Sequence, residues 1–287
     1  MPTLLKIEFI IPEDMADAAE VFIASKVPHG WEETAHETGR KFTLYLEDHP
    51  LGLEMVKEFQ AQFAEADVTW SEQASEDWTM AWKDFFVPVN CGETFRIYPP
   101  WLNDGEDNGF THIVIEPKMA FGTGHHPTTS LCLVTIGKLV KNNVIRAGQT
   151  FLDLGTGSGI LGIGLGKLGL TGVGLDNDPL AIVCALENVK NNGVDHAMHL
   201  AVGTIDCLET DLTFDLVVSN ILSGPLIEMA PEIISRIAPG GSLILSGILT
   251  ENQSDAVAQA YDKRGLGQPK RFEDAEWVCL VWENIER

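Results

Sequence analysis

Four small motifs carry the residues that could do chemistry. The first is Asp153-Leu-Gly155-Thr-Gly157-Ser-Gly159. The second is the acid Asp176, about 20 residues after the first glycine. Phe151 to Leu154 reads as a short buried strand. The glycines then end it where the backbone must turn tightly and approach a ligand without Cβ atoms in the way. Ile160, Leu161, Ile163, Leu165 and Leu168 continue at helical spacing, and Val173–Leu175 returns as a strand that stops at Asp176. A carboxylate there can accept hydrogen bonds from a ribose diol, so the unit reads as a nucleoside site.

Two nucleoside cofactors fit at first sight. Gly157, Gly159 and Gly162 match the dinucleotide pattern G-x-G-x-x-G, but that frame starts two residues after the turn begins at Gly155. In the natural frame Ile160 stands where a fourth small residue belongs. A dinucleotide turn offers N–H groups to an anionic pyrophosphate, which a carboxylate at Asp153 would repel. The same carboxylate suits a ligand with an ammonium or a sulfonium. The reading therefore favours S-adenosylmethionine, with Asp153, Gly155, Gly157, Gly159 and Asp176 as cofactor residues. An NAD-dependent oxidoreductase stays as the alternative.

The third motif follows the apolar run Phe214–Ser219 and begins Asn220-Ile-Leu-Ser-Gly-Pro-Leu226. Asn220 offers a carbonyl oxygen either to an amine nucleophile or to the methionine part of the cofactor. It is the candidate catalytic residue, orienting the nitrogen that attacks. Capping of the following helix is the competing role for an asparagine there. The fourth motif is Phe121-Gly-Thr-Gly-His-His-Pro-Thr-Thr129. Phe121, Gly122 and Thr123 are expected to form a lid or floor beside the cofactor. Pro127 suits the first turn of a helix, and Thr129 can donate a hydrogen bond from it. Adjacent His125 and His126 point in different directions and have no accompanying set of acids or cysteines, so no metal is expected.

These motifs need a scaffold that gathers them. From Ile113 onward strands and helices alternate. Strands are expected at Ile113–Glu116, Thr150–Leu154, Gly172–Asp176, Phe214–Asn220, Ser242–Ser246 and Trp277–Asn284. Helices are expected at Thr128–Val140, Ile160–Leu168, Pro179–Asn191, Pro225–Arg236 and Glu251–Tyr261. That pattern is a doubly wound α/β sheet, whose ligands sit beyond the carboxyl ends of its strands. Upstream the order differs: strand Leu4–Ile11, helix Glu13–Lys26, strands Trp31–Thr34 and Phe42–Glu47, helix Leu51–Ala64, strand Val68–Glu72. This β-α-β-β-α-β order is ferredoxin-like. Residues 1–74 are expected to form that α+β domain and 75–110 a linker rich in aromatics, including Trp78, Trp82 and Trp101. Residues 111–287 are expected to form the cofactor domain.

Composition sets outer bounds. The chain has 287 residues, 45% of them hydrophobic, and a net charge of −23. Such a surface repels phosphate backbones, disfavours direct nucleic-acid binding and suits a basic partner. Five scattered cysteines, none in a C-x-x-C pair, fit free thiols in a reducing cytoplasm. No run reaches membrane-spanning length, and an acid stands too early for a signal peptide.

Taken together, FGTGHHPTT, DLGTGSGILGI, GLDNDPLAI with ENVKNNGV, and NILSGPL resemble the ribosomal protein L11 methyltransferase family over essentially the whole chain. The connection DWTMAWKDFFVPV…FRIYPPW resembles that family's linker. The resemblance implies a seven-stranded class I methyltransferase sheet behind a ferredoxin-like domain that recognises L11. It further implies N-methylation of lysine side chains and the N-terminal amine, with cofactor contacts at Thr129, Gly155, Asp176 and Asn220. The sequence departs from the family pattern at His125, where threonine is more usual. NILSGPL lacks the aromatic of the N-P-P-Y motif with which other methyltransferases stack planar substrates, which fits an amine acceptor. A cytoplasmic monomer is expected. A different basic protein as the methyl acceptor stays open at this point, as does a non-catalytic protein-binding module.

Overall fold

The computed structural model describes residues 3–26, 31–46, 49–74, 87–102, 109–116, 124, 126–251 and 253–286. The chain divides into two compact units, Met1–Phe85 and Phe86–Arg287.

The first unit holds strand β1 (Thr3–Ile11), helix α1 (Ala16–Lys26), strands β2 (Glu32–His36) and β3 (Gly39–Leu46), helix α2 (His49–Gln62) and strand β4 (Asp67–Ala74). Its antiparallel sheet has the order β2-β3-β1-β4, the ferredoxin-like arrangement. Strict alternation in β1 explains its central place. Leu5, Ile7, Phe9 and Ile11 are buried, while Lys6 and Glu8 on the opposite face form an ion pair at 3.0 Å. Phe9 stacks on Phe59 of α2 with ring centroids 4.0 Å apart. The helix expected from Glu13 opens as a single 3-10 turn, Glu13–Met15, before α1.

The second unit begins with a small sheet of β5 (Val89–Cys91), β6 (Phe95–Tyr98) and β7 (Thr111–Val114). There follow α3 (Pro127–Lys141), β8 (Thr150–Leu154), α4 (Ile160–Lys167), β9 (Thr171–Asp176), α5 (Pro179–Asn191), β10 (Met198–Val202) and β11 (Phe214–Asn220). The unit ends with α6 (Ser223–Glu228), α7 (Ala230–Ser235), β12 (Ile237–Leu249), α8 (Gln253–Asp262), β13 (Lys270–Asp274) and β14 (Trp277–Ile285). The large sheet has the order β10-β9-β8-β11-β12-β14-β13. Its strands are parallel except β14, which runs against both neighbours. The central strands are apolar on both faces because helices cover both. Leu216 and Val218 enter one core cluster with Leu133 and Ile163, and Val217 between them enters the other with Leu226 and Tyr261. The strand order reverses between β8 and β11, and that gap is where such a sheet opens a crevice.

Several expectations need correction. The strand expected at Ile113–Glu116 is β7, and it pairs with β6 in the small sheet instead of joining the large one. The large sheet gains β10 and β13 in exchange, two edge strands whose residues are mostly exposed. The single helix expected at Pro225–Arg236 is two short helices. Pro231 sits in the first turn of α7, and its ring cannot follow an unbroken helical turn. The strand expected to end at Ser246 runs on to Leu249 through a register break between Leu245 and Ile248. Trp78 and Trp82 of the expected linker lie outside the described residues. Among the described residues no helix is long and apolar enough to cross a membrane.

Candidate active site

The glycine turn leaves β8 with Gly155, Gly157 and Gly159 at φ of 73°, 55° and 83°. Any other residue would lose about 1–2 kcal/mol at each. Gly155 is constrained twice, because a Cβ there would lie 2.3 Å from Cγ2 of Ile221. The turn is tied to the neighbouring strand by the Gly155 and Thr156 N–H groups, which donate to the Leu175 carbonyl at 2.8 and 2.9 Å.

Two carboxylates flank this turn and play different parts. Asp176, at the end of β9, accepts from the Gly157 N–H at 2.8 Å through one oxygen and from the Asp178 N–H at 3.0 Å through the other. Lone pairs remain on both oxygens. Asp153 lies beneath the turn and is 1% exposed. One of its oxygens accepts from Thr156 Oγ1 at 2.7 Å and from the Gly162 N–H at 3.0 Å, and the other has no partner. Burial pushes its carboxyl up to about 6, against those two hydrogen bonds, with the nearby Asp176 charge adding to the rise.

Across the crevice Asn220 ends β11. Its Nδ2 donates to Thr129 Oγ1 at 3.3 Å, while its Oδ1 is buried without a partner. Thr129 is fully buried in the first turn of α3. That helix starts as its sequence demands: Pro127 stands at the first position, and His126 Nδ1 caps it by accepting the Thr128 N–H at 3.3 Å.

These elements surround a pocket of about 390 Å³. It brings together Thr129, Gly155, Gly157, Asp176 and Asn220. Asp153 and Gly159 are not in its lining; they shape the turn from below and behind. Phe121, Gly122 and Thr123 lie outside the described residues. The lining also includes Ile160, Asn177, Ile221, Gly247 and Trp277, and His126 is one of its walls. One signal could have revealed Gly247: an isolated glycine inside an apolar strand marks a bulge or a close backbone approach. It has φ of 83°, and a Cβ there would lie 2.2 Å from the Ile221 carbonyl oxygen. Nothing local in the sequence points to Trp277.

Behind the turn, Asn188 of α5 and Asn192, the residue that caps its end, hold the backbone at the end of β7 and just after it. Asn192 pairs with both backbone groups of Val114, its Oδ1 taking the N–H at 2.9 Å and its Nδ2 reaching the carbonyl at 2.6 Å. Asn188 accepts the Glu116 N–H at 3.2 Å and donates to the Ser158 carbonyl at 3.0 Å. It thereby links the glycine turn to the backbone that leads into residues 117–123.

Comparison with known proteins gives the family. The family model described as "Ribosomal protein L11 methyltransferase (PrmA)" matches residues 20–284. The ribosomal protein L11 methyltransferase of Chloroflexus aurantiacus is 39% identical over 232 residues, covering 72% of this chain and 69% of that protein. The protein of the same name from Myxococcus xanthus is 38% identical over 224 residues, covering 78% and 74%. The crystal structure of a ribosomal protein L11 methylase from Lactobacillus delbrueckii subsp. bulgaricus superposes with a TM-score of 0.61 at 28% identity, covering 70% of this chain and all of that one.

Proposed function

The chain belongs to the ribosomal protein L11 methyltransferase family, and on that premise we propose that its pocket serves N-methylation of ribosomal protein L11. The chain is an S-adenosylmethionine-dependent protein methyltransferase. The finer reading is that its acceptors are lysine side chains and the N-terminal amine of L11.

One observation carries the fit to the cofactor. Two acceptors among its lining residues stand without a full set of partners: Asn220, whose buried Oδ1 accepts from no protein donor, and Asp176, whose oxygens keep spare lone pairs. Such walls suit a ligand that brings positive charge and N–H or O–H donors, as an ammonium, a sulfonium and a ribose diol do. A pyrophosphate would bring acceptors against acceptors. The volume lies within the usual range for small-molecule sites. When bound, S-adenosylmethionine supplies a methyl group activated by its sulfonium, with the sulfur keeping the electron pair of the broken bond.

The protein's own residues then hold and aim. Asp176 takes the ribose hydroxyls, with its oxygens already fixed by two backbone N–H groups. Gly155 and Gly157 let the backbone come close where a Cβ would intrude. Thr129 accepts from the Asn220 amide and holds it, leaving Oδ1 with two uncommitted lone pairs. One of these accepts an N–H from the arriving amine and points its lone pair at the methyl carbon. The amine must arrive neutral, having lost its proton to water. A free lysine amine has a pKa near 10.4 and an N-terminal amine one near 7.7–8.0, so the two acceptors demand different degrees of deprotonation.

The remaining features of the reading follow from charge and composition. The net charge of −23 supports a basic protein substrate over nucleic acid. The free cysteines support a cytoplasmic, reducing setting, and the chain is read as a monomer. Calorimetry tests the cofactor assignment. Asp176→Ala is expected to weaken S-adenosylmethionine binding by about 1–3 kcal/mol, the cost of unpaired hydroxyls. Unchanged affinity would remove Asp176 from the site.

A further inference from the structure

The pocket lining includes an aromatic pair that the cofactor's donors do not explain. Trp277, the first residue of β14, meets His126 there with ring centroids 5.0 Å apart and planes at 66°. Both line the same pocket as Asn220. Neither ring is loosely held. His126 Nδ1 is engaged as the cap of α3, and Trp277 is paired on both sides, with Leu249 of β12 and Asp274 of β13. Trp277 also packs against the core cluster of α3 and α4. Gly247 lines the pocket as well, packed closely on the backbone of Ile221. An indole face favours an alkyl stem and an ammonium, and more so a methylated ammonium that has shed its water.

We propose that Trp277, braced edge-on by His126, is the wall of the acceptor channel. It packs against the alkyl stem of the incoming lysine and retains the methylated product for a further round. Trp277 is thus a specificity-determining residue that sets how many methyl groups are added before release. This inference rests on reading the pocket as an amine methyltransferase site.

The test compares Trp277→Phe and Trp277→Ala with the parent enzyme, using L11 as acceptor. S-adenosylmethionine affinity is measured by calorimetry, KM and kcat by initial rates, and methyl number by intact-mass spectrometry. The expected result is cofactor affinity within about twofold of the parent and KM for L11 raised about tenfold in Trp277→Ala. Products shift toward fewer methyl groups per site. Trp277→Phe, which keeps an aromatic in place, shows a smaller change in the same direction and decides the matter if the alanine variant does not fold. Unchanged KM and methyl number in the phenylalanine and alanine variants would overturn the proposal. So would a loss of cofactor affinity that matches the loss of activity, since the wall would then belong to the cofactor. Absence of methyl transfer by the parent enzyme would strike the underlying reading instead.

Discussion

Asp153 and Asp176 look alike in the sequence, each an acid at the end of a strand beside the glycine turn. Position along the sheet separates them: Asp153 pairs with Gly174, two residues before Asp176, and lies beneath the turn, where it holds Thr156 and the start of α4, while Asp176 stands at the tip of β9 and lines the pocket. The cost of sealing Asp153 away should show in stability. Its carboxyl is pushed by burial from an ordinary 3.8 up to about 6, so the folded chain binds that proton more tightly than the unfolded chain does. The stabilisation is complete below about pH 4 and is lost as pH rises through 6, a swing on the order of 2–3 kcal/mol. Asp153→Asn keeps the shape without the charge. Denaturant unfolding across pH 4–8 is expected to show a flatter profile and a gain in stability at pH 8. A loss at pH 8 would mean that the carboxylate's hydrogen bonds outweigh its desolvation.

At the scale of elements, α5 does more than cover the sheet. Asn188 is 1% exposed and joins the Ser158 carbonyl to the Glu116 N–H. Asn188→Leu keeps the volume and strands both groups, so unfolding is expected to become easier by about 2–4 kcal/mol, with weaker cofactor binding as the turn loosens. A change under about 1 kcal/mol would show that water replaces the amide. The elements legible in the sequence are those with local signals. The glycine turn, the acid that ends β9, the amphipathic helices and the alternation of β1 are all readable from neighbouring residues. What escapes depends on distant pairing. β13 is mostly charged and β10 is short, as edge strands often are, and β7 looks like a core strand although, among the described residues, it pairs only with β6. Trp277 and Gly247 come to the pocket only because β14 and β12 lie beyond β11 in the sheet order. ENVKNN reads as an ordinary helix end, yet its asparagines are the ties behind the turn.

At the scale of the whole chain, the excess of acid is the dominant property. With a charge of −23, attraction to a basic substrate acts at long range and is screened by salt. KM for L11 is expected to rise steadily with ionic strength, while S-adenosylmethionine, held by short contacts in the pocket, binds nearly independently of it. Equal salt dependence of both would argue against charge-guided substrate capture. The central claim is the reaction itself, and intact-mass spectrometry of purified L11 incubated with this protein and S-adenosylmethionine tests it most directly. The account predicts mass increments of whole methyl groups on L11, mapping to lysine side chains and the N-terminal amine. An unmodified L11 in the presence of protein that binds the cofactor would contradict it.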